Sequence, residues 1–527
     1  MKQLKFFYTG AVVILILPII FFYVILLSNC VNIPYDDDFP SLLLFITTFA
    51  KTHGIFNKIT LLITQQYSSY KLIFENAIAS LYYFIFGKIN FIFLQIMGDL
   101  FVLLILYFFI LIIKKWVDNR IKLIISLIPV VYILFQFQYF ETLNWAMAGL
   151  QNIPVIVFSF LAIYFLSMPN YRFFLISNIF FVLAVFSSAN GLLLCPIGLL
   201  MISQQKQLTK ITKFLIWLIV SIGLIILYFF DYHSKSVGFS ISHLLYRINL
   251  PFALSFIGAA FTNYSYGYKL SFFAGVLILS TFLFMFRKRS DHTDTEIFYS
   301  FLFIIFTAVA VSSIRGKYGL AASLWSRYAI YSDLAIIFCY LFLVKEIIKT
   351  KYFKLFIIIA IILSIFFNFN ANKEYYSQVQ EKKTSLIYSI EAFRNRYIGR
   401  YVLPIPYRDQ TWALNLIERA KKMNIYFLPN TNIKLGIPLL VYKWAKKTPY
   451  NKKALQNLIL FYIQGYSFII FFPPKSKNFF KHFLYYIVKN NNLINNKPFF
   501  QQLYPYRQQY CSLYKKINKN IYENKYC

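Results

Sequence analysis

An all-α polytopic membrane protein is the fold class this sequence predicts, on three observations. The 527-residue chain is 59% hydrophobic, 21% aromatic and only 14% charged, far more apolar than a soluble globular chain. Apolar runs of about 18 to 25 residues recur over the first ~370 positions, and about 20 such residues carry a helix across a hydrocarbon core. Basic residues crowd alternate connections, as the positive-inside rule requires of a multispanning chain.

Spans can be drawn at about 6–29, 89–113, 121–139, 150–167, 172–188, 191–203, 213–231, 269–286, 297–314, 328–344 and 353–370, which makes about eleven transmembrane helices. The first run is too long for a signal-peptide core and lacks a small-residue cleavage site, so it reads as an uncleaved anchor. Lys2 and Lys5, "KKWVDNRIK", "NYR", "QQKQLTKITK", "FRKRSD" and "KEIIKTKYFK" then share one side, the cytoplasmic one by the charge rule. The first opposite connection is long, about 30–88, and its amphipathic "PSLLLFITTFA" and "ITLLITQQY" are too short to span, so they predict helices lying on the outer membrane face. An odd number of spans leaves residues 371–527 outside as a small basic α/β domain, with 26 Lys+Arg against 6 Asp+Glu. Within it, 454–472 is long enough for a twelfth span, although its polar residues favour a buried soluble segment. The domains are therefore 1–370, transmembrane, and 371–527, extracytoplasmic.

The net charge of +34 would point a soluble protein to nucleic acid. In a bilayer protein it is loop charge and attraction to anionic lipid, and no nucleic-acid partner is expected. The five cysteines show no metal-ligand spacing; only Cys511 and Cys527 could pair, in an oxidising compartment. Walker, GxGxxG and GxSxG motifs are absent.

Three segments on the outer side concentrate chemistry. "NIPYDDDFPSL" places Asp36, Asp37 and Asp38 straight after the first helix. Adjacent carboxylates repel, so at least one gains basicity suited to a general base; alternatively they cap a helix entered at Pro40. "RGKYGLAASLWSRYAIYSD" carries Arg315, Lys317 and Arg327 with no acid between them. A guanidinium fork matches phosphate oxygens, although the same residues could snorkel to headgroups. Glu141, Asn144, Trp145 and Gln151, and separately Asn190 with Gly191, could meet a sugar by hydrogen bonding and stacking, or form plain turns. Asp99 and Asp333, within or near spans, should face the bundle interior.

Together these residues resemble the GT-C superfamily of bacterial polytopic membrane glycosyltransferases, of the type that uses polyprenyl-phosphate sugars. Pro34, Tyr35, Asp37, Asp38 and Phe39 fit its first-loop pattern. Glu141 with Trp145 and Gln151, Gly191-Leu192 with Pro196, and Ser326-Arg327-Tyr328 are similar to later motifs, in the same order. The resemblance covers about the first 370 residues. It departs from the family at "QQYSSYKL", where Tyr70 and Lys71 stand in place of His-Arg. It implies transfer of a single sugar from a polyprenyl-phosphate donor to a hydroxyl of an envelope glycan, lipid or protein on the periplasmic face of the bacterial inner membrane, with inversion. Asp37 would be the base, with Asp38 and Asp36 orienting it, or Asp37 and Asp38 holding a divalent cation such as Mg or Mn. Arg327, Arg315, Lys317 and Tyr328 would hold the donor phosphate, and Glu141, Asn144, Trp145, Gln151 and Asn190 the substrate. The alternative is a transporter or flippase of a lipid-linked sugar or other amphipathic anion, whose polar residues should line a path through the bilayer rather than gather on one face.

Overall fold

The computed structural model of the chain describes residues 2–68, 70–117, 119–206, 209–233, 247–262, 267–288, 295–394 and 409–430. Among these, the secondary structure is helical apart from one antiparallel hairpin, in which Gln66 pairs with Lys71 and Tyr67 with Tyr70. The possible span at 454–472, Cys511 and Cys527, and most of the expected α/β domain lie outside the described residues.

Two compact units divide the chain. One comprises Met1–Cys30 and Pro40–Gln380, the other Val31–Phe39 and Glu381–Cys527. The first unit thus runs to Gln380, and the aspartate segment belongs to the second unit although it sits early in the sequence.

Among the described residues, seven helices are long and apolar enough to cross a membrane, against the eleven expected. They are α1 (Lys2–Asn29), α5 (Phe91–Lys114), α7 (Ala146–Leu166), α10 (Lys210–Phe229), α12 (Tyr268–Lys288), α13 (Thr295–Arg315) and α15 (Phe353–Arg394). The other four segments are helical but fall short for visible reasons. Helix α6 (Arg120–Leu134) stops five residues early because side chains take its last carbonyls: Asn368 Nδ2 donates to Tyr132 O (2.7 Å) and Phe135 O (2.9 Å), and the Tyr139 hydroxyl to Leu134 O (2.5 Å). Helix α8 (Tyr171–Ser187) gives way to a 3-10 turn before the ten-residue α9 (Leu194–Ser203). Helix α14 (Ser326–Ile347) is long but carries Arg327, Asp333, Lys345 and Glu346.

Asparagines mark several starts. The side chains of Asn90, Asn119, Asn170 and Asn249 each accept a backbone N–H of the following turn at α5, α6, α8 and α11 (Leu250–Ile257), satisfying donors that a helix start leaves open. Packing between helices uses small residues where backbones meet. A Cβ on Gly98 of α5 would lie 2.8 Å from the Gly149 carbonyl carbon of α7, a close crossing typical of helices that associate without a hydrophobic driving force.

The connections of the first unit separate into two ends. At one, Glu296 accepts from both Lys115 and Ser167, and Lys288 pairs with Glu346. At the other, Cys30 meets Asn144, Tyr70 meets Arg315, and Glu141 meets Arg327.

The long first connection folds into α2 (Leu44–Phe49), α3 (Ile55–Thr64), the hairpin and α4 (Ile73–Phe86). Helix α3 buries none of its residues and exposes Ile55, Phe56 and Ile59, the pattern of a short amphipathic helix. Lys71 is fully buried, and its ammonium donates to the carbonyls of Ile63, Thr64 and Phe230 at 3.3, 3.2 and 2.8 Å. It therefore closes the C-terminal ends of α3 and α10, where carbonyls lack partners and a cation suits the helix dipole. Burial pushes its pKa down, partly offset by the nearby charge of Asp231.

Glu75 opens α4 fully buried, with neither carboxyl oxygen hydrogen-bonded to another group. Burial pushes its pKa well above the usual carboxylate range, because desolvation penalises the charged form. Since the folded pKa exceeds the unfolded one, its contribution to stability is full below about pH 4.3 and is lost as pH rises toward the folded value. Thermal unfolding in detergent across pH 4 to 9 should therefore show Glu75→Gln gaining on wild type as pH rises. A constant difference between the two proteins would mean that Glu75 does not carry this load.

Candidate functional site

Within the first unit, the residues expected to bind phosphate form a ladder of cations and aromatic rings. The Arg315 guanidinium donates to the Tyr70 hydroxyl and lies 5.9 Å from the ring centres of both Tyr70 and Tyr318. Tyr318 sits 6.0 Å from Trp325, and Lys317 projects over Tyr318 at 5.1 Å. Trp325 stacks with Tyr328 at 6.2 Å, and the Arg327 guanidinium lies 4.4 Å from Trp325 and 5.5 Å from Tyr328. Tyr328 continues through Phe256 to Tyr331, whose hydroxyl accepts from Asn190 at 3.0 Å. Each cation gains about 0.5–1 kcal/mol from such a face. No described carboxylate forms an ion pair with Arg315, Lys317 or Arg327, and Arg327 Nε has no hydrogen-bond partner. At the Glu296 end, by contrast, Lys115 and Lys288 are paired with acids.

A buried polar network sets the position of Arg327. Gln136 donates to Asp333 at 2.7 Å, Gln138 donates to Ala260 O at 3.0 Å, and Ser326 donates to Gln138 O at 2.6 Å. The first and last of these bonds tie the 135–144 connection to α14, and the second ties it to Ala260. Glu141 then accepts the Arg327 backbone N–H at 3.2 Å, and Thr142 donates to Arg327 O at 3.2 Å. An acid at a helix start complements the dipole, so Glu141 caps α14 from a distant loop. Asp333 does face the bundle interior, fully buried.

The expected substrate residues divide. Glu141 and Asn190 are half-buried. Asn144, Trp145 and Gln151 are buried in the core, and Asn144 holds the end of α1 by accepting from the Cys30 thiol at 3.4 Å. Gly191 is required by packing: a Cβ there would lie 2.4 Å from the Ala184 carbonyl carbon.

In the second unit, the aspartates form a tight turn. Asp38 N–H donates to Tyr35 O at 2.9 Å, and the Asp38 carboxylate turns back to accept the Tyr35 N–H at 3.0 Å. Asp38 is fully buried, whereas Asp36 and Asp37 are half-buried. Asp36 takes a left-handed φ of 45°, which Asp tolerates better than most residues. This Asp38 contact thus closes the turn rather than capping the π-helical turn Phe39–Leu43 that follows. For the divalent ion expected on Asp37 and Asp38, the turn supplies the half-buried Asp37 carboxylate and an Asp38 carboxylate that also accepts the Tyr35 N–H. Among the described residues no three His, Cys, Asp or Glu side chains converge as ligands, and one Asp38 oxygen is committed to the turn.

Sequence reasoning missed Tyr70 as the partner of Arg315 and Glu75 as a buried acid. The "QQYSSYKL" departure marked the first position, and the run "FENAIAS" would have shown the second once read as a helix. Comparison with known protein families, with curated proteins and with solved structures finds no match to this chain.

Proposed function

We propose that the protein is a membrane glycosyltransferase that moves one sugar from a polyprenyl phosphate to an acceptor hydroxyl, with inversion. The observation that carries this reading is the ladder of Arg315, Lys317 and Arg327, held on aromatic faces with no carboxylate partner. Such an array is suited to a phosphate, which needs forked, charged donors. In this reading the ladder end faces the periplasm, the N-terminus is cytoplasmic and the C-terminal region is periplasmic.

The chemistry is a single displacement. The acceptor oxygen attacks the anomeric carbon while Asp37 takes its proton, as a positioned general base does. The bond from that carbon to the phosphate oxygen breaks, and its electron pair leaves with the polyprenyl phosphate. Arg327 and Arg315 stabilise the charge that grows there, and Asp37 returns its proton to water.

The test is transfer by the purified protein in detergent, offered radiolabelled polyprenyl-phosphate sugars and a membrane extract. Label should move from the lipid to the acceptor. Should the intact donor instead cross the bilayer of proteoliposomes with no transfer, the protein is a transporter.

A further inference from the structure

The aspartate turn and the C-terminal segment are more than 340 residues apart in sequence, yet Val31–Phe39 forms one compact unit with the chain from Glu381 onward. Three contacts join them. The Tyr426 hydroxyl, on a side chain that is 1% exposed, donates to Asn32 O at 2.8 Å. Lys382 places its ammonium 4.5 Å from the centre of the Tyr35 ring. The rings of Phe39 and Phe393 meet at 6.4 Å. Asn32, Tyr35 and Phe39 sit before, at the start of and after the three aspartates, so the turn is held along its length.

We propose that residues 381–394 and 409–430 are a working part of the catalytic machinery, with Tyr426 and Lys382 as positioning residues that hold the Asp37 loop in its reactive shape. This rests on the assignment of Asp37 as base. A left-handed residue and crowded carboxylates oppose the turn, and a short loop keeps such a conformation only when its surroundings impose it. The bracing hydrogen bond, the cation over the ring and the aromatic contact supply that constraint. On this view the C-terminal region is the support on which the base depends.

The test uses the full-length protein with Tyr426→Phe, Lys382→Gln and Lys382→Arg. Hydrogen exchange at the amides of Tyr35 and Asp38 should quicken about fivefold in the first two variants, the loss expected for one contact worth about a hydrogen bond. It should stay near wild type in Lys382→Arg, which keeps a cation over the ring. Unchanged exchange in both Tyr426→Phe and Lys382→Gln overturns the proposal whatever the protein catalyses. Where exchange quickens in Tyr426→Phe, which leaves the charges around the turn unchanged, the acid limb of the pH profile of kcat/KM should move, because a relaxed loop changes the spacing of the carboxylates. A merely lower fraction of folded enzyme scales the profile without moving it. Quickened exchange with an unmoved limb would leave the brace standing and remove Asp37 as the base.

Discussion

Asp37→Asn should lower sugar transfer by about 10²–10⁴-fold, the usual contribution of a positioned general base, while donor binding stays at the wild-type level. Asparagine keeps the shape of the side chain and removes its ability to take a proton. The neighbouring acids supply the control. Asp38 is buried and its carboxylate accepts the Tyr35 N–H; an amide oxygen can accept the same bond, so Asp38→Asn should cost much less than Asp37→Asn. Asp36 occupies a left-handed conformation that asparagine adopts readily, so Asp36→Asn should be milder still. An equal loss across all three would assign the effect to net charge rather than to one base.

Gly275→Leu should prevent accumulation of folded protein. A Cβ at Gly275 of α12 would lie 1.9 Å from the Leu254 carbonyl oxygen of α11 and 2.6 Å from its carbon. The reciprocal position is as tight, since a Cβ on Gly258 would lie 2.0 Å from Ser271 O. These are backbone atoms, so relief requires the two segments to separate, and a cost above about 4 kcal/mol is expected for so severe an overlap. That separation would strip Phe256 from beneath Tyr328 and disturb the ladder as well. Gly223, where an added Cβ would meet nothing within 4 Å, should accept alanine with little change. Size-exclusion profiles of the detergent-solubilised variants check both results, and a monodisperse Gly275→Leu protein at wild-type yield would refute the packing argument.

Much of this fold was legible in the sequence because apolar length and basic alternation are strong, local signals. They located the helices. They overcounted spans where tertiary contacts end a helix: nothing in "LIPVVYILFQFQYF" reveals that Asn368, more than 230 residues away, takes the carbonyls of Tyr132 and Phe135. The ladder of cations was legible by residue type. Unpaired Arg315 and Arg327 in a loop without acids pointed to an anion, and the structure adds that aromatic faces hold them. Trp145 and Gln151 lie buried, which the sequence does not reveal, because polar and aromatic residues between spans look alike whether they face a cavity or a core. Membership of the aspartate turn in a unit with residues beyond 380 depends on pairings far apart in the chain, which periodicity cannot reveal.

The most direct test of the central claim measures donor binding and transfer side by side for wild type, Asp37→Asn and Arg327→Gln. Arg327→Gln should weaken binding of a polyprenyl-phosphate sugar about 10- to 100-fold, the loss of one charged hydrogen-bond donor. Asp37→Asn should bind as wild type does and fail to transfer. Wild-type transfer by Asp37→Asn, or undiminished donor binding by Arg327→Gln, would contradict the account.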